Sequence, residues 1–494
     1  MVAASASEEL DVVIIGAGIS GINASYRLQT MTKWQNYTVL EGRSEMGGTW
    51  SLFNYPGIRS DSDMYTLGFP FRPWLDAKGI ASGEDILKYV KDTARETGVD
   101  KHIRYNHKVQ RLDWNSETKR WTLYVNANGQ EKTFTSRFVY SCAGYYSYDE
   151  GHNPELPGQD NFQGKLVHPQ FWPKDLDYVD KKVVVVGSGA TAITVVPAMA
   201  EKVKSITMLQ RSPGYFLKLP RRDAVVELWK KILPSQAAHS FIRMRNAFRA
   251  YLLVWICKGF PSVARRVLRY LTAKELPPHI PLDPHFNPSY NPWDQRICLD
   301  PDGEFFASLR SGKANIATGH IDTITSNGIK LKDGSFLEAD IIIAATGLKM
   351  TMAGGSQLYV DGKKKDIGQL YIYKGQMLED VPNFGLCLGY TNASWTLGSD
   401  LASRYIARLI NEMDKKGIDV VTPRCDHTTV NEKPLINLNS GYITRARKDL
   451  PKGGNKAPWY LRHSFFYDLL VVKFGSVLDS LELSAATRAQ ELTE

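Results

Sequence analysis

Short runs of apolar, β-branched residues recur along the chain, and each is followed by a stretch with helical spacing. Residues 11–15 read Asp-Val-Val-Ile-Ile, and residues 182–186 read Lys-Val-Val-Val-Val. Both runs have strand length and are apolar almost throughout, which predicts parallel strands buried on both faces. Helices are predicted to follow at 22–30 and 193–200. The pattern therefore predicts an α/β fold with two Rossmann-like units.

A glycine-rich turn joins the first strand to its helix. Gly16, Gly18 and Gly21 have the spacing of a dinucleotide fingerprint. In this pattern the first glycine permits the tight turn, the second lets backbone approach a pyrophosphate, and the third allows close packing of helix on strand. The next predicted strand, 37–41, ends in Glu41, where a carboxylate can bind ribose hydroxyls. The alternative is a simple glycine turn with a solvated Glu41.

A second small turn follows this acid. Gly47 precedes Gly48, Thr49 and Trp50. We predict that Gly48, Thr49 and Trp50 wrap the nucleotide held by the first turn, although two adjacent glycines also occur in flexible turns.

The second glycine turn has the same setting. Gly187-Ser188-Gly189-Ala190-Thr191 lies between the strand at 182–186 and the helix at 193–200, and Ala192 stands where a third glycine is usual. The following strand ends near Arg211 and Ser212, without an acid. An arginine at this place suits the 2′-phosphate of NADPH. The alternative is a solvated charge at the end of a strand.

Two more apolar strands, at 137–144 and 340–347, end in turns of small residues and mark places where the chain passes between units. Two nucleotide sites imply two dinucleotide cofactors. The predicted segments are 1–150, the first part of one dinucleotide-binding domain; 151–338, a second such domain; and 339–494, the return to the first domain with a C-terminal region.

Length and cysteine content narrow the class of protein. A chain of 494 residues is long enough for two or three domains. The five cysteines are scattered and contain no CxxC pair, so we expect neither a disulfide framework nor a metal site. The N-terminal residues are small and polar, and no apolar run reaches the length of a membrane span. These features predict a cytoplasmic protein.

The net charge of +9 is unevenly distributed. Ten lysines and arginines, and no acid, lie between Glu227 and Glu275. We predict a helical insertion at about 220–290, with a helix over 241–257. Such a basic, apolar segment could contact an anionic membrane. The favoured alternative is an insertion whose apolar face packs on the core. Nucleic acid is not an expected partner, because no binding motif is present.

Between the two turns, Phe162, Gly164, His168, Trp172 and Pro173 form the pattern FxGxxxHxxxWP. With this motif the chain resembles the type I Baeyer–Villiger monooxygenases. The resemblance implies FAD at the first turn and NADPH at the second, with the helical insertion in the NADP-binding domain. We expect His168 to position the linker between domains and not to transfer protons.

Other stretches extend the resemblance over nearly the whole chain. Residues 55–69 are similar to the family segment beside the flavin, and residues 290–296 to the segment that carries the active-site arginine. Residues 392–397 and 440–446 are similar to the branch with the ethionamide-activating and long-chain alkane monooxygenases.

The resemblance also implies roles for individual residues. Arg296 would stabilise negative charge on oxygen, and Asp61 would orient its guanidinium. Asp61, Tyr65 and Val109 are also assigned to the cofactor site. An ion pair of Arg296 with Asp294 is the structural alternative.

The function implied is insertion of one oxygen atom of O2 into an apolar ketone to give an ester, with possible oxidation of sulfides. Alternatives are a flavin N- or S-monooxygenase, a long-chain alkane hydroxylase, and a catalytically silent flavoprotein at a membrane. A flavin disulfide reductase is disfavoured, because such enzymes need a redox-active cysteine pair.

Overall fold

The structure is a computed structural model that describes residues 8–436 and 438–485. It contains two large sheets, and one strand of each leads into one of the glycine turns. The strands of the first third are β1 (Glu8–Ile15), β2 (Tyr37–Leu40), β3 (Ile103–Arg104), β4 (His107–Asn115), β5 (Arg120–Ala127), β6 (Gln130–Ser141), β7 (Tyr146–Gly151) and β8 (Lys165–Val167). Those of the middle are β9 (Lys182–Val186), β10 (Ser205–Gln210), β11 (Phe216–Leu219), β12 (Cys298–Pro301), β13 (Ala314–Thr318), β14 (Ile321–Thr325), β15 (Gly328–Leu331), β16 (Phe336–Glu338) and β17 (Ile341–Ala344). The remaining strands are β18 (Leu348–Met350), β19 (Gln357–Val360), β20 (Lys363–Lys365), β21 (Ile372–Tyr373), β22 (Met377–Leu378), β23 (Phe384–Leu386), β24 (Ile418–Pro423), β25 (Glu432–Lys433), β26 (Gly453–Gly454) and β27 (Leu481–Ala485).

Helices cover these sheets and connect them. Those of the first half are α1 (Ile19–Met31), α2 (Thr49–Leu52), α3 (Met64–Leu67), α4 (Gly83–Glu96), α5 (Ala190–Ala200), α6 (Ala224–Ile232) and α7 (Ser235–Gly259). Those of the second half are α8 (Pro261–Glu275), α9 (Leu282–His285), α10 (Glu304–Arg310), α11 (Trp395–Lys416), α12 (Gly441–Ala446) and α13 (Phe465–Phe474). Among the described residues, no helix is both long enough and apolar enough to cross a bilayer.

The first sheet has 11 strands, and β1 lies inside it, between β6 and β2. Both neighbours run parallel to β1, with Ile15 opposite Leu40 on one side and Ser141 on the other. This central position explains why β1 is apolar on both faces. On one face α1 packs against α11, and Arg27 pairs with Asp400 at 2.8 Å where both side chains are nearly buried.

The second sheet has five strands in the order β13-β10-β9-β17-β8, all of them parallel. Val183, Val184 and Val185 of β9 are at most 1% exposed. The parallel strands beside both glycine turns alternate with helices as the apolar runs predicted, whereas β4, β5 and β6 follow one another and pair antiparallel. The α/β fold expected from the sequence is confirmed.

Four helices, α6 to α9, lie between the paired strands β11 and β12 and fall within the interval of the predicted helical insertion. The helix expected at 241–257 is α7, which extends further at both ends. The buried Arg243 anchors α7 by donating hydrogen bonds to the carbonyls of Tyr65, Thr66 and Gly68 at 2.7–2.9 Å.

The apolar face of this insertion does not all pack on the core. The buried residues of α7 include small or polar ones such as Ala238, His239 and Ala247. Its large side chains Phe248 and Trp255 are more than half exposed. The sequence favoured an insertion whose apolar face packs on the core, and this holds for only part of α7.

Candidate active site

The first residues of α1 and α5 line one large cavity, with a volume of about 1380 Å³. The amino ends of both helices follow the carboxyl ends of parallel strands, which is where α/β folds bind ligands. The lining also includes Glu41, Asp61 and Arg296, which lie far apart in the sequence. The structure thus brings the two glycine turns and both predicted catalytic residues to a single site.

Two glycines shape the first turn. A Cβ on Gly21 would lie 1.8 Å from the carbonyl oxygen of Gly16, so helix α1 can approach the turn only with glycine there. A Cβ on Gly48 would lie 3.0 Å from the Cα of Gly18, and Gly48 has a φ of +57°. Gly18 begins α1 without a side-chain cap, which leaves backbone N–H groups to bind an anion. Gly16, Gly18 and Gly48 line the cavity, and Gly21 packs behind them.

Glu41 is buried at the carboxyl end of β2. Its two carboxylate oxygens accept hydrogen bonds from the backbone N–H groups of Ala17 at 2.8 Å and Arg43 at 2.9 Å. Burial raises the pKa of Glu41, and these two hydrogen bonds and the Arg43 charge oppose the rise. Each oxygen keeps a free lone pair, so the carboxylate can also accept from a ribose hydroxyl.

The turn at 47–50 forms the part of the cavity wall that faces the first glycine turn. Thr49 and Trp50 begin α2 and line the cavity. Arg43 holds this turn in place, donating to the Ser51 hydroxyl at 2.6 Å and to the Gly48 carbonyl at 3.3 Å. Val109, also predicted for the cofactor site, lies in the lining as well.

The second glycine turn reaches the cavity through Ala190 and Thr191. Gly187 and Ser188 lie outside the lining, and the Ser188 hydroxyl donates to the Ser212 carbonyl at 3.2 Å. A Cβ on Gly189 would meet no atom within 4 Å, so the backbone there is open to a ligand. Arg211 and Ser212, at the end of β10, are exposed beyond the cavity.

Arg296 projects into the cavity and forms no ion pair with Asp294, whose carboxylate accepts from the backbone N–H of Asn291 at 3.0 Å. The Arg296 side chain is exposed to the open cavity; partial removal from solvent lowers the pKa of its guanidinium, but four surrounding groups outweigh that effect and raise the pKa above its ordinary value. These groups are, in order of effect, Tyr145, Tyr442, Tyr146 and Asp61. The guanidinium is therefore a permanent positive charge.

Asp61 lies among two cations and not one. Burial raises the pKa of its carboxyl group; the charge of Arg59 opposes this more strongly than that of Arg296. Arg59 is itself nearly buried, donates to the Leu299 carbonyl at 3.3 Å, and has an Nε without a hydrogen-bond partner. The sequence identified Asp61 and Arg296, but it did not identify Arg59, whose charge acts on the Asp61 carboxylate more strongly than that of Arg296.

Aromatic side chains that sequence reasoning did not assign also line the site. The Tyr146 hydroxyl donates to that of Tyr145 at 2.8 Å, and Tyr145 stacks on Trp395 with a centroid distance of 4.7 Å. Trp395 in turn donates to the Ser20 hydroxyl at 2.8 Å. The position of Tyr145 directly after a buried strand was a usable signal, because ligands bind at such strand ends.

Tyr65 lies outside this cavity, contrary to its assignment to the cofactor site. Its ring is 2% exposed, and its hydroxyl donates to the Asp76 carbonyl at 2.9 Å. It packs beneath the insertion, against Val226 and Ile242. Asp61 and Ser62, in the same segment, do line the cavity. The segment was therefore assigned to the right place, but its residue Tyr65 points away from the cavity.

His168 is also outside the lining. Its Nε2 donates to the Gly347 carbonyl at 3.2 Å, and its Nδ1 accepts from the backbone N–H of Gln170 at 3.2 Å. Burial lowers the pKa of His168, although the contact with Gly347 opposes the change. A neutral imidazole with both nitrogens bonded to backbone has a positioning role.

Comparison with known proteins agrees with this architecture. The family model described as flavin-binding monooxygenase-like matches residues 9–223. The FAD-containing monooxygenase EthA of Mycolicibacterium smegmatis is 47% identical over 472 residues, 95% of this chain and 96% of that protein. The probable FAD-binding monooxygenase AlmA of an Acinetobacter species is 44% identical, covering 96% of each chain. A solved oxidized steroid monooxygenase bound to NADP superposes with a TM-score of 0.76 at 22% identity, over 97% of this chain and 100% of that one.

Proposed function

Because the chain belongs to the flavin-binding monooxygenase-like family, we propose that it is an FAD- and NADPH-dependent monooxygenase of the Baeyer–Villiger type. The observation that carries the proposal is the placement of Arg296, with Asp61, in the cavity that both glycine turns line. The names of the relatives support FAD, and the name of the solved steroid monooxygenase supports NADP.

The residues of the first turn fit FAD. Gly18 and Gly48 face each other, and a Cβ on Gly48 would come within 3.0 Å of the Gly18 Cα, so the backbone stays open only with glycine at position 48. The uncapped start of α1 suits a pyrophosphate, and the Glu41 carboxylate is placed for a ribose.

The residues of the second turn fit NADPH. Gly189 leaves open space beside the start of α5, where backbone N–H groups can bind a pyrophosphate. Arg211 is exposed one strand away, at the place where a 2′-phosphate is bound in this fold.

When bound, reduced FAD supplies the reaction with O2, and NADPH supplies the hydride that reduces it. The protein's own contribution is electrostatic. Arg296 would hold a fixed positive charge beside the ketone oxygen, on which negative charge develops when the carbonyl carbon is attacked, and it cannot quench that anion by giving up its proton. The Asp61 carboxylate attracts the Arg296 guanidinium electrostatically and shares that attraction with Arg59, whose charge acts on Asp61 more strongly.

We propose an apolar ketone as substrate, because Tyr145, Trp395 and Tyr390 contribute aromatic surface to the cavity. Apolar and aromatic walls with few polar groups are usual for sites that bind apolar molecules. Oxidation of sulfides on the same site is the secondary activity.

The test uses the purified holoenzyme with NADPH, 18O2 and a series of 2-alkanones, with sulfides, tertiary amines and alkanes of equal chain length beside them. We expect an ester that carries one 18O atom. Sulfoxide or N-oxide without ester would favour the N- or S-monooxygenase, and a terminal alcohol would favour the alkane hydroxylase. NADPH consumption that yields only hydrogen peroxide, or no consumption, would contradict every oxygen-insertion activity.

We also propose that the helical insertion contacts an anionic membrane surface. Exposed apolar side chains extend along α7 and α8, including Phe248, Trp255 and Val263 at 53%, 52% and 56% exposure. Lys258, Arg266 and Lys274 are exposed among them and form no ion pair with any residue that the structure describes. An apolar face bordered by free cations has the chemistry of an interfacial helix.

This surface is continuous with the cavity wall. Phe466 contacts both Phe248 and Tyr251, each at a centroid distance of 6.2 Å. Phe466 and its neighbour Phe465 pack against a cluster that contains Tyr390, a residue of the cavity lining. An apolar substrate dissolved in a bilayer would thus meet apolar surface from the membrane to the site.

A further inference from the structure

Three potential metal ligands from two distant segments meet outside the cavity. Glu379 follows β22, whereas Cys425 and His427 follow β24. The carboxylate oxygen, the thiol sulfur and the imidazole nitrogen all lie within 4.8 Å of one another. None of the three residues lines the cavity, and the proposed oxygenation uses none of them.

Glu379 is rigidly placed. It is 4% exposed, and its Oε2 accepts from the backbone N–H of Tyr371 at 3.2 Å. The backbone N–H of Glu379 donates to the Tyr371 carbonyl at 2.9 Å. The other carboxylate oxygen, Oε1, points at Nε2 of His427 at 2.5 Å. One oxygen is thus held by backbone, and the other faces His427, the second potential ligand.

The loop that carries Cys425 and His427 is also fastened. Arg424 pairs with Asp380 at 2.5 Å, and the backbone N–H of Asp380 donates to the Pro423 carbonyl at 3.0 Å. Asp426 accepts from the backbone N–H of Thr428 at 3.0 Å, which turns its carboxylate into the loop. These contacts leave Cys425 and His427 facing Glu379.

We propose that Glu379, Cys425 and His427 form a binding site for Zn2+. One thiolate, one imidazole and one carboxylate match the ligands of zinc, whereas Ca2+ and Mg2+ prefer oxygen ligands alone. Three protein ligands leave the fourth tetrahedral position to water.

The geometry requires only local adjustment. Zinc–ligand bonds of about 2.0–2.3 Å place tetrahedral ligands roughly 3–4 Å apart. The contact between Glu379 and His427 must therefore lengthen, and the longest separation in the trio must shorten. The His427 side chain is 60% exposed and packs edge-on against the Tyr371 ring at 5.3 Å, so it can adjust while Glu379 stays fixed.

The alternative is a simple ion pair between His427 and Glu379. That pair does not need the thiol of Cys425, whereas a zinc site does. A bound ion would join the turn at Glu379 to the loop at 425–427, so zinc should stabilise the folded protein by mass action.

The test is a Zn2+ titration of the reduced, untagged holoenzyme against a chromophoric chelator. We expect one equivalent to bind, and both Cys425→Ser and His427→Ala to weaken binding by at least about tenfold, since each removes one of three ligands. Cys257→Ser and the exposed His320→Ala are the matched controls and should bind as the unaltered protein does. Equal binding by Cys425→Ser and the unaltered protein would overturn the proposal.

Co2+ gives a second readout. The difference spectrum of the holoenzyme with Co2+ should contain a thiolate-to-cobalt charge-transfer band that Cys425→Ser lacks. Zn2+ should raise the Tm of the unaltered protein and of both controls, but not that of His427→Ala. Because His427 is exposed, this variant keeps its fold, and a Tm rise equal to that of the unaltered protein would also overturn the site.

Discussion

His168 donates a hydrogen bond from Nε2 to the carbonyl oxygen of Gly347 at 3.2 Å, and so connects the family motif to the chain where it leaves the second sheet. The ring lies against Gly151, where a Cβ would come within 2.3 Å of it. The central histidine of the motif thus acts through packing and backbone contacts at the junction of the two sheets.

This contact predicts a coupling between the two side chains. Gly151→Ala should destabilise the protein by about 1–3 kcal/mol, because the new methyl group overlaps the imidazole. In a His168→Ala background the same substitution should cost less, since the overlap is gone. Urea unfolding of the four proteins of this cycle measures the coupling. Equal costs in both backgrounds would show that the two residues do not interact.

Arg296→Ala should retain reduction of the flavin by NADPH but lose ester formation by about 10²- to 10³-fold, the effect of removing one oxyanion-stabilising group. Stopped-flow reduction under anaerobic conditions and ester yield under air separate the two steps. The control is Arg222→Ala, which removes an exposed arginine outside the cavity. Ester formation near the unaltered rate in Arg296→Ala would exclude the proposed role.

The titration of Asp61 should make the rate of ester formation depend on pH. Burial raises the pKa of this carboxyl group against the opposing charges of Arg59 and Arg296. Since orientation of Arg296 requires the carboxylate, ester formation should fall as the pH decreases through this raised pKa, above the ordinary value of about 3.9. Asp61→Asn should be slower and should lose this acidic limb of the kcat/KM profile. An unchanged limb in the variant would assign the titration to another group.

Arg211 predicts the choice of nicotinamide cofactor. Its exposed guanidinium follows β10, so Arg211→Ala should raise the KM for NADPH by about tenfold and leave that for NADH unchanged. The ratio of kcat/KM for the two cofactors is the measurement, with Arg222→Ala again as the control. If both cofactors lose affinity equally, the residue supports the fold and does not read the phosphate.

Sequence patterns predicted those parts of the site that depend on local spacing. Gly16 and Gly21 must be glycine because strand, turn and helix follow one another directly, and this order is visible in the chain. Arg296 and Asp61 came from a resemblance, and the structure places both in the cavity lining.

The parts that the sequence misplaced or did not indicate depend on contacts between distant segments. Tyr65 faces the insertion because Arg243 holds α7 over the carbonyls of residues 65–68, a packing that no local pattern shows. Tyr145 meets Trp395 across 250 positions, and Glu379 meets His427 across 48. Cysteine spacing predicts only metal sites with neighbouring ligands, so it could not indicate the proposed site at Glu379, Cys425 and His427.

The exposed insertion predicts binding to anionic vesicles. The holoenzyme should sediment with vesicles of phosphatidylcholine and phosphatidylglycerol at low salt, and less with phosphatidylcholine alone or at high salt, because screening weakens the attraction. Lys258→Glu and Arg266→Glu should each weaken binding at least about fivefold, since one cation near such a surface contributes about 1 kcal/mol.

The apolar contribution is separated by Trp255→Ser, which removes a side chain that is 52% exposed on this face. Its matched control is Phe336→Ser, which removes a 43% exposed ring on β16, outside the insertion. If the surface inserts its apolar side chains, Trp255→Ser should weaken binding at both salt concentrations, whereas the charge variants should matter chiefly at low salt. No binding of the unaltered protein at low salt, or equal loss in Trp255→Ser and Phe336→Ser, would rule out this face as the membrane contact. Lys258→Glu, Arg266→Glu and Trp255→Ser change this face but not the cavity. In these variants the rate of oxidation of a short ketone in solution should be unchanged, whereas the rate for a long-chain ketone presented in vesicles should decrease.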